Sequence, residues 1–338
     1  MEKNYPLPHR FFALCEVLAV FFAGSLLAQF LFQLAGVTGH PLMALMGDNP
    51  EMIAIALDLS RLLMLQFAGW FALIVFFSWM NSEKLKAELK LTRHGYQFIQ
   101  LVVIGVLAWC IGDIANKAVF LLDQTYDLGT SVPWREALLH GEKTTGWWLV
   151  MFVGSFGLIP ILEEILWRGY VQSKLIRFFS PAVGIVITAG LFVFSHAQYH
   201  QLDLYHASTI IGLTISALAL GWVTHKTRSI IPAIVMHALL NFPNDGLFLY
   251  VTIGLMMGIS AWQWQRIKTF CTDLLQPQAF THFNLASIVL LFAGVATMFT
   301  LSQAPALILK LSITCMALAA AASVAGLVKR LRKKQQNS

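Results

Sequence analysis

Ten apolar runs divide this 338-residue chain, at 11–36, 54–80, 98–122, 145–166, 181–199, 207–223, 229–242, 246–263, 283–303 and 306–328. Most have the length that crosses a bilayer core as a helix, about 17–25 residues. In hydrocarbon every backbone N–H and C=O must be satisfied internally, which leaves only helices and closed barrels. The runs are continuous rather than alternating, so they read as helices and not as barrel strands. The composition agrees: only 12% of residues are charged and 57% are hydrophobic, where a soluble domain carries about 25% charged residues. The expected fold class is all-α, a polytopic transmembrane helical bundle of about ten spans.

The net charge of +6 does not point to nucleic acid. Its bases gather in alternate connections and in the terminal KRLRKK. They comprise Lys3 and Arg10, then Lys84, Lys86, Lys90 and Arg93, then Arg168, Lys174 and Arg177, then Lys226 and Arg228, then Arg266 and Lys268. Such alternation marks cytoplasmic loops and contact with anionic lipid. It predicts a multi-pass protein of a bacterial inner membrane with both termini cytoplasmic and membrane lipids as partners. Cys15, Cys110, Cys271 and Cys315 are scattered, with neither metal spacing nor a disulfide framework, and read as buried thiols. The first run is too long for a signal peptide, contains Glu16 and lacks a convincing cleavage site.

Three regions are expected. Residues 1–144 form an N-terminal three-span region, and 145–263 a central core that concentrates the polar residues. Residues 264–338 hold a polar connector, a two-helix hairpin and a basic tail. The run 229–242 is short and carries Pro232, which makes it the candidate for a partial crossing or a kink.

Within the core, Glu163 and Glu164 end an almost wholly apolar stretch. An acid at membrane depth costs roughly 2.5–3.5 kcal/mol, so two in succession call for a function. On a helix Glu164 and Arg168 are four apart and face each other, while Glu163 points about 100° away. Arg168 should neutralise Glu164 and leave Glu163 free to face other helices as a general base. Two further pairs have four-residue spacing, Phe192 with His196 and His237 with Asn241, which stacks each on one helix face. Glu163 lies 17 residues before Ser180 and His196 lies 16 after it. A helix continuing to Phe178 with a turn at Ser180–Pro181 would therefore place both near 25 Å from the turn, at about 1.5 Å per residue. The bland alternatives are an ion pair at a helix end and histidines that simply bond between helices.

The order EExxxR, FxxxH, HxxxN within apolar helices resembles the CPBP family, which holds the type II CAAX prenyl endopeptidases and the bacterial Abi or bacteriocin-processing proteins. The resemblance covers about 145–245 and implies an intramembrane, glutamate-dependent endopeptidase. By matching position it makes Glu163 the catalytic glutamate and His196 its partner in activating water. His237 and Asn241 would stabilise the oxyanion, and Glu164, Arg168 and Phe192 would support them. Its substrate would be a membrane-associated protein or peptide, such as a CAAX-like C-terminal tail. The chemistry is coherent on its own terms, because peptide hydrolysis needs an activated water and donors for the carbonyl oxygen. Ser195 lies about 100° around the helix from His196, which disfavours a serine nucleophile.

No cofactor is expected, although zinc held by Glu163, His196 and His237 is a competing reading of the same three side chains. Two other classes of function remain open: a non-enzymatic membrane scaffold or immunity protein, and a proton-coupled transporter. Asp113 with Lys117, and Asp58 with Arg61, read as self-neutralising pairs. His200 and His206 fall in a polar loop where a metal role is a minor reading. Trp147, Trp148 and Trp167 read as interfacial belt residues.

Overall fold

The computed structural model describes residues 7–47, 50–81, 83, 85, 89–129, 133–196, 199, 203–243, 246–262, 264, 265, 268, 314 and 316–325. All regular structure among the described residues is helical. In chain order it comprises α1 (Leu7–Leu34), a short 3-10 helix (Pro41–Met46), α2 (Met52–Met80), α3 (Phe98–Gly112), α4 (Ile114–Tyr126) and α5 (Pro133–His140). There follow α6 (Thr145–Phe178), α7 (Pro181–Phe194), α8 (Leu204–Thr227), α9 (Ile231–Leu240) and α10 (Gly246–Trp262).

Four of these are long and apolar enough to cross a membrane, Pro8–Leu34, Met52–Met80, Thr145–Phe178 and Leu204–Thr227, and the protein is an integral membrane protein. The expected count of ten is not reproduced. The runs at 181–199, 229–242 and 246–263 form shorter helices, and the run 98–122 breaks into α3 and α4 at Asp113. The run 283–303 lies outside the described residues, as does most of 306–328, and so do the connector beyond 268 and the basic tail.

Local signals explain the boundaries. Thr144 opens α6 by accepting the Trp147 N–H at 3.2 Å, and Ser180 opens α7 by accepting the Val183 N–H at 3.3 Å ahead of Pro181. Pro232 lies in the first turn of α9, where a missing N–H is harmless, so it starts that helix rather than kinking it. The helix α1 crosses α2 closely: a Cβ on Gly69 would stand 2.6 Å from the Gly24 carbonyl oxygen and 2.7 Å from the Ala28 nitrogen. Such small-residue crossings let two helices pack where lipid supplies no hydrophobic drive.

The helix α6 is the axis of the molecule. At 34 residues it would run about 50 Å, longer than a bilayer core of about 30 Å. It is regular α-helix except at two π-helical stretches, Phe152–Phe156 and Ile165–Val171, which flank the segment Leu158–Glu164. Its neighbours are tied to it by polar side chains. Arg168 Nη2 donates to the Ala217 carbonyl at 3.2 Å, and Gln172 Nε2 to the Gly221 carbonyl at 2.8 Å, one turn further along α8. On the other side Lys174 Nζ reaches Glu16 Oε1 of α1 at 2.7 Å and both oxygens of Glu83 at 2.8 Å. Tyr170 donates its hydroxyl to Glu16, and Asn81 donates to the other Glu16 oxygen at 3.1 Å.

Several sequence expectations change here. Arg168 and Lys174 were counted among loop cations, yet both are buried in the bundle, because each has an acidic partner, Glu164 on the same helix for Arg168 and Glu16 of α1 for Lys174. Trp147 and Trp167 are core residues rather than belt residues: Trp147 donates to the Leu138 carbonyl at 2.6 Å, and Trp167 packs among Phe21, Trp70 and Phe192. Only Trp148 of the three is exposed. Asp113 and Lys117 pair at 3.2 Å as expected. Arg61 instead donates to the Ala35 carbonyl at 2.6 Å, and no ion pair joins it to Asp58 among the described residues.

Candidate membrane-embedded active site

Glu163 and Glu164 close the α-helical segment of α6 just before its second π-helical stretch. Glu164 is fully buried, and its Oε1 accepts from Arg168 Nη1 at 2.9 Å, the expected four-residue pair. The same oxygen accepts from His237 Nδ1 at 2.8 Å. The expectation that Arg168 alone occupies Glu164 is therefore incomplete, because α9 inserts a histidine between the two acids. His237 turns its other ring nitrogen, Nε2, towards Glu163 Oε2 at 3.8 Å. That separation exceeds a hydrogen bond.

Glu163 retains 18% exposure of its side chain, yet its Oε2 is buried with no hydrogen-bond partner, as is Glu164 Oε2. Buried acceptors of this kind are costly unless a donor meets them, and they are rare outside functional sites.

His196 follows the last turn of α7. Its Nδ1 is 2.8 Å from the Phe192 carbonyl, and a carbonyl only accepts, so Nδ1 carries the proton. In the neutral ring Nε2 is then a lone pair, able to take a proton from water. Ser195 Oγ donates to the same Phe192 carbonyl at 2.6 Å and is 3.4 Å from His196 Nδ1. It faces a nitrogen that already bears hydrogen, which removes a serine–histidine relay.

Phe192 lies at the centre of the group. Its ring centroid is 4.7 Å from that of His196, 5.8 Å from that of His237 and 4.4 Å from Arg168 Cζ. His196 lies within electrostatic reach of Glu163, His237 and Arg168. The structure thus gathers Glu163, Glu164, Arg168, Phe192, His196 and His237. The side chain of Asn241, the residue that caps α9, shows no hydrogen bond to them among the described residues; its Nδ2 donates to the Ser155 carbonyl of α6 at 3.2 Å.

The alternative metal reading gains no geometry, since no group of three His, Cys, Asp or Glu side chains is arranged to hold an ion among the described residues. His237 Nδ1 is also committed to Glu164. His206 is buried in the first turn of α8 rather than in a loop, with Nδ1 on Asp203 Oδ2 at 2.6 Å. His200 lies outside the described residues.

Sequence reasoning missed two groups. Ser155 carries no sequence signal beyond a single hydroxyl in an apolar run. The Glu16–Lys174–Glu83 network had a visible signal, Glu16 inside the first run, since an acid at that depth requires a partner.

Residues 145–243 match the family model described as Type II CAAX prenyl endopeptidase Rce1-like. No curated protein and no solved structure matches the chain. The matched segment opens with α6 and ends two residues after Asn241, so it contains every residue gathered above. The central region of this chain is thus similar to the Type II CAAX prenyl endopeptidase Rce1-like family.

Proposed function

We propose that this chain is an intramembrane endopeptidase that hydrolyses a membrane-associated peptide or a CAAX-like C-terminal tail through a glutamate-activated water. The observation that carries this reading is Glu163 Oε2, a buried carboxylate oxygen without a hydrogen-bond partner, set 3.8 Å from His237 Nε2. A carboxylate so placed has both a reason to bind water and a geometry for taking its proton.

The roles follow from the tautomers. Glu163 is the general base, and His196 accepts from the same water through Nε2. Attack on the scissile carbonyl then moves negative charge to its oxygen. Asn241 supplies one donor through its carboxamide. His237 supplies the second through Nε2, in the form in which both ring nitrogens carry protons. Glu164 and Arg168 hold His237 and do no bond-breaking themselves. Zinc in place of direct glutamate chemistry is a separate reading, tested by the metal content of the purified active protein.

The decisive experiment reconstitutes the protein in liposomes with a lipid-tethered reporter peptide. Wild type should cleave it, and Glu163→Gln and His196→Ala should each lower kcat by about 10²–10⁴ while insertion is retained. Cleavage that survives both changes overturns the mechanism. Stoichiometric zinc whose removal abolishes cleavage would replace it with a metal mechanism.

A further inference from the structure

Ser155 and Asn241 are joined by two reciprocal hydrogen bonds. Ser155 Oγ donates to the Asn241 backbone carbonyl at 2.9 Å, and Asn241 Nδ2 donates to the Ser155 backbone carbonyl at 3.2 Å. The first bond satisfies a carbonyl at the C-terminal end of α9, where helix carbonyls lack intrahelical partners.

The second depends on the π-helical stretch Phe152–Phe156. In that register a carbonyl accepts from the residue five positions on, as Phe152 does from the Gly157 N–H at 2.9 Å. For Ser155 the residue five on is Pro160, which has no N–H. The π turn and the proline together leave an acceptor on α6, and the Asn241 carboxamide meets it. Gly157 permits the turn, since a Cβ there would stand 2.4 Å from the Phe152 carbonyl oxygen.

The consequence is chemical. A carboxamide can present either its NH₂ or its oxygen to a given partner. The Ser155 carbonyl only accepts, so it selects the NH₂ edge and fixes the flip state of Asn241. One N–H is used in the clasp and the second is directed by the same amide plane. The Ser155 hydroxyl, through the first bond, holds the Asn241 end of α9 against that carbonyl; without it the carboxamide is freer to leave the carbonyl, invert and offer Oδ1, an acceptor that repels a developing oxyanion.

We infer that Ser155 is a positioning residue for the peptidase reaction, holding the Asn241 carboxamide with its N–H edge towards the reacting carbonyl. The inference rests on the peptidase reading above and extends it to a residue on the first π-helical stretch of α6. Because Ser155 acts on the oxyanion donor and not on peptide binding, its loss should appear in kcat and not in KM.

The test uses the full chain in liposomes with the lipid-tethered reporter peptide. Ser155→Ala should lower kcat about tenfold, the scale of one hydrogen bond that orients a group, with KM unchanged within twofold. Ser155→Thr, which keeps the hydroxyl, should restore most of the rate. Asn241→Ala should lower kcat by about 10²–10³, and adding Ser155→Ala to it should cause no further loss. The proposal is overturned if Ser155→Ala keeps the wild-type kcat, or if it slows the Asn241→Ala protein as much as the wild type. Glu163→Gln separates the two levels of the argument. If Glu163→Gln abolishes cleavage while Ser155→Ala does not slow it, the positioning role alone is wrong. If the wild type does not cleave, or cleaves despite Glu163→Gln, the peptidase reading fails and the positioning role fails with it.

Discussion

Neutralising each glutamate of the adjacent pair should separate stability from chemistry. Glu164 is fully buried, and one of its oxygens takes both Arg168 Nη1 at 2.9 Å and His237 Nδ1 at 2.8 Å. In Glu164→Gln the carboxamide oxygen can still accept, but Arg168, also fully buried, loses the charge that balances it. Removing one partner of a buried ion pair costs about 3–5 kcal/mol, chiefly by stranding the other charge. Glu163→Gln is different. Its Oε2 has no hydrogen-bond partner and its side chain is part-exposed, so the amide forfeits no bond. Only the attractions to His237 at 3.8 Å and, at longer range, to His196 and Arg168 weaken, and the loss should be within about 1 kcal/mol. Both variants would be purified in one detergent and unfolded in parallel, with cleavage measured below the transition. The expected result is a large fall in stability for Glu164→Gln and a near-native melting curve with no activity for Glu163→Gln. Equal destabilisation by the two changes would refute the division of the pair into a structural and a reacting acid.

Three further outcomes follow from the described contacts. Lys174→Met should destabilise the protein by about 3–5 kcal/mol, because it leaves the buried Glu16 without its cation, while Glu83 keeps Arg177 at 3.0 Å; unfolding in detergent reads this, and a native-like transition would show that the network is neutral. Gly69→Val should weaken the packing of α1 on α2 by about 1–3 kcal/mol, as its Cβ would overlap the α1 backbone, and proteolysis within the α1–α2 hairpin would report it. At the start of α8, the His206 backbone N–H, then the His206 ring, hold the Asp203 carboxyl below the usual carboxylate range. Its contribution is therefore present above the unfolded value of about 3.9 and is lost as pH falls through the depressed folded value. Asp203→Asn keeps a capping side chain and should remove this acid dependence from the unfolding curve.

The candidate site was legible in part for reasons that can be traced to particular residues. The Glu164–Arg168 pair is an i,i+4 contact on one helix, so spacing alone predicted it. The continuation of α6 to Phe178 and the turn at Ser180–Pro181 were readable from a capping serine followed by proline. Spacing could not tell which histidine meets which glutamate. Depth suggested Glu163 with His196, whereas the shortest contacts run from His237 to both acids, with Phe192 between the two imidazoles. The count of ten spans is not confirmed, because an apolar run of 14 or 19 residues reads alike whether it crosses a bilayer or ends inside a bundle. Lys174 misled the charge pattern for a related reason: a cation's sequence neighbours do not say whether an acid waits on another helix.

By itself the sequence determined an all-helical membrane protein with two acids, two histidines and an arginine at helical spacing within residues 145–245. Those properties are local, since hydropathy and the 3.6-residue period act within one helix. Tertiary structure decided that His237 bridges Glu163 and Glu164, that Trp147 and Trp167 are core residues, that Lys174 links α6 to Glu16 of α1, and that Ser155 clasps Asn241. Each depends on the rotation and register of one helix against another. Close packing of Gly24 on Gly69 and the two π-helical stretches of α6 set that register through contacts between residues far apart in the chain.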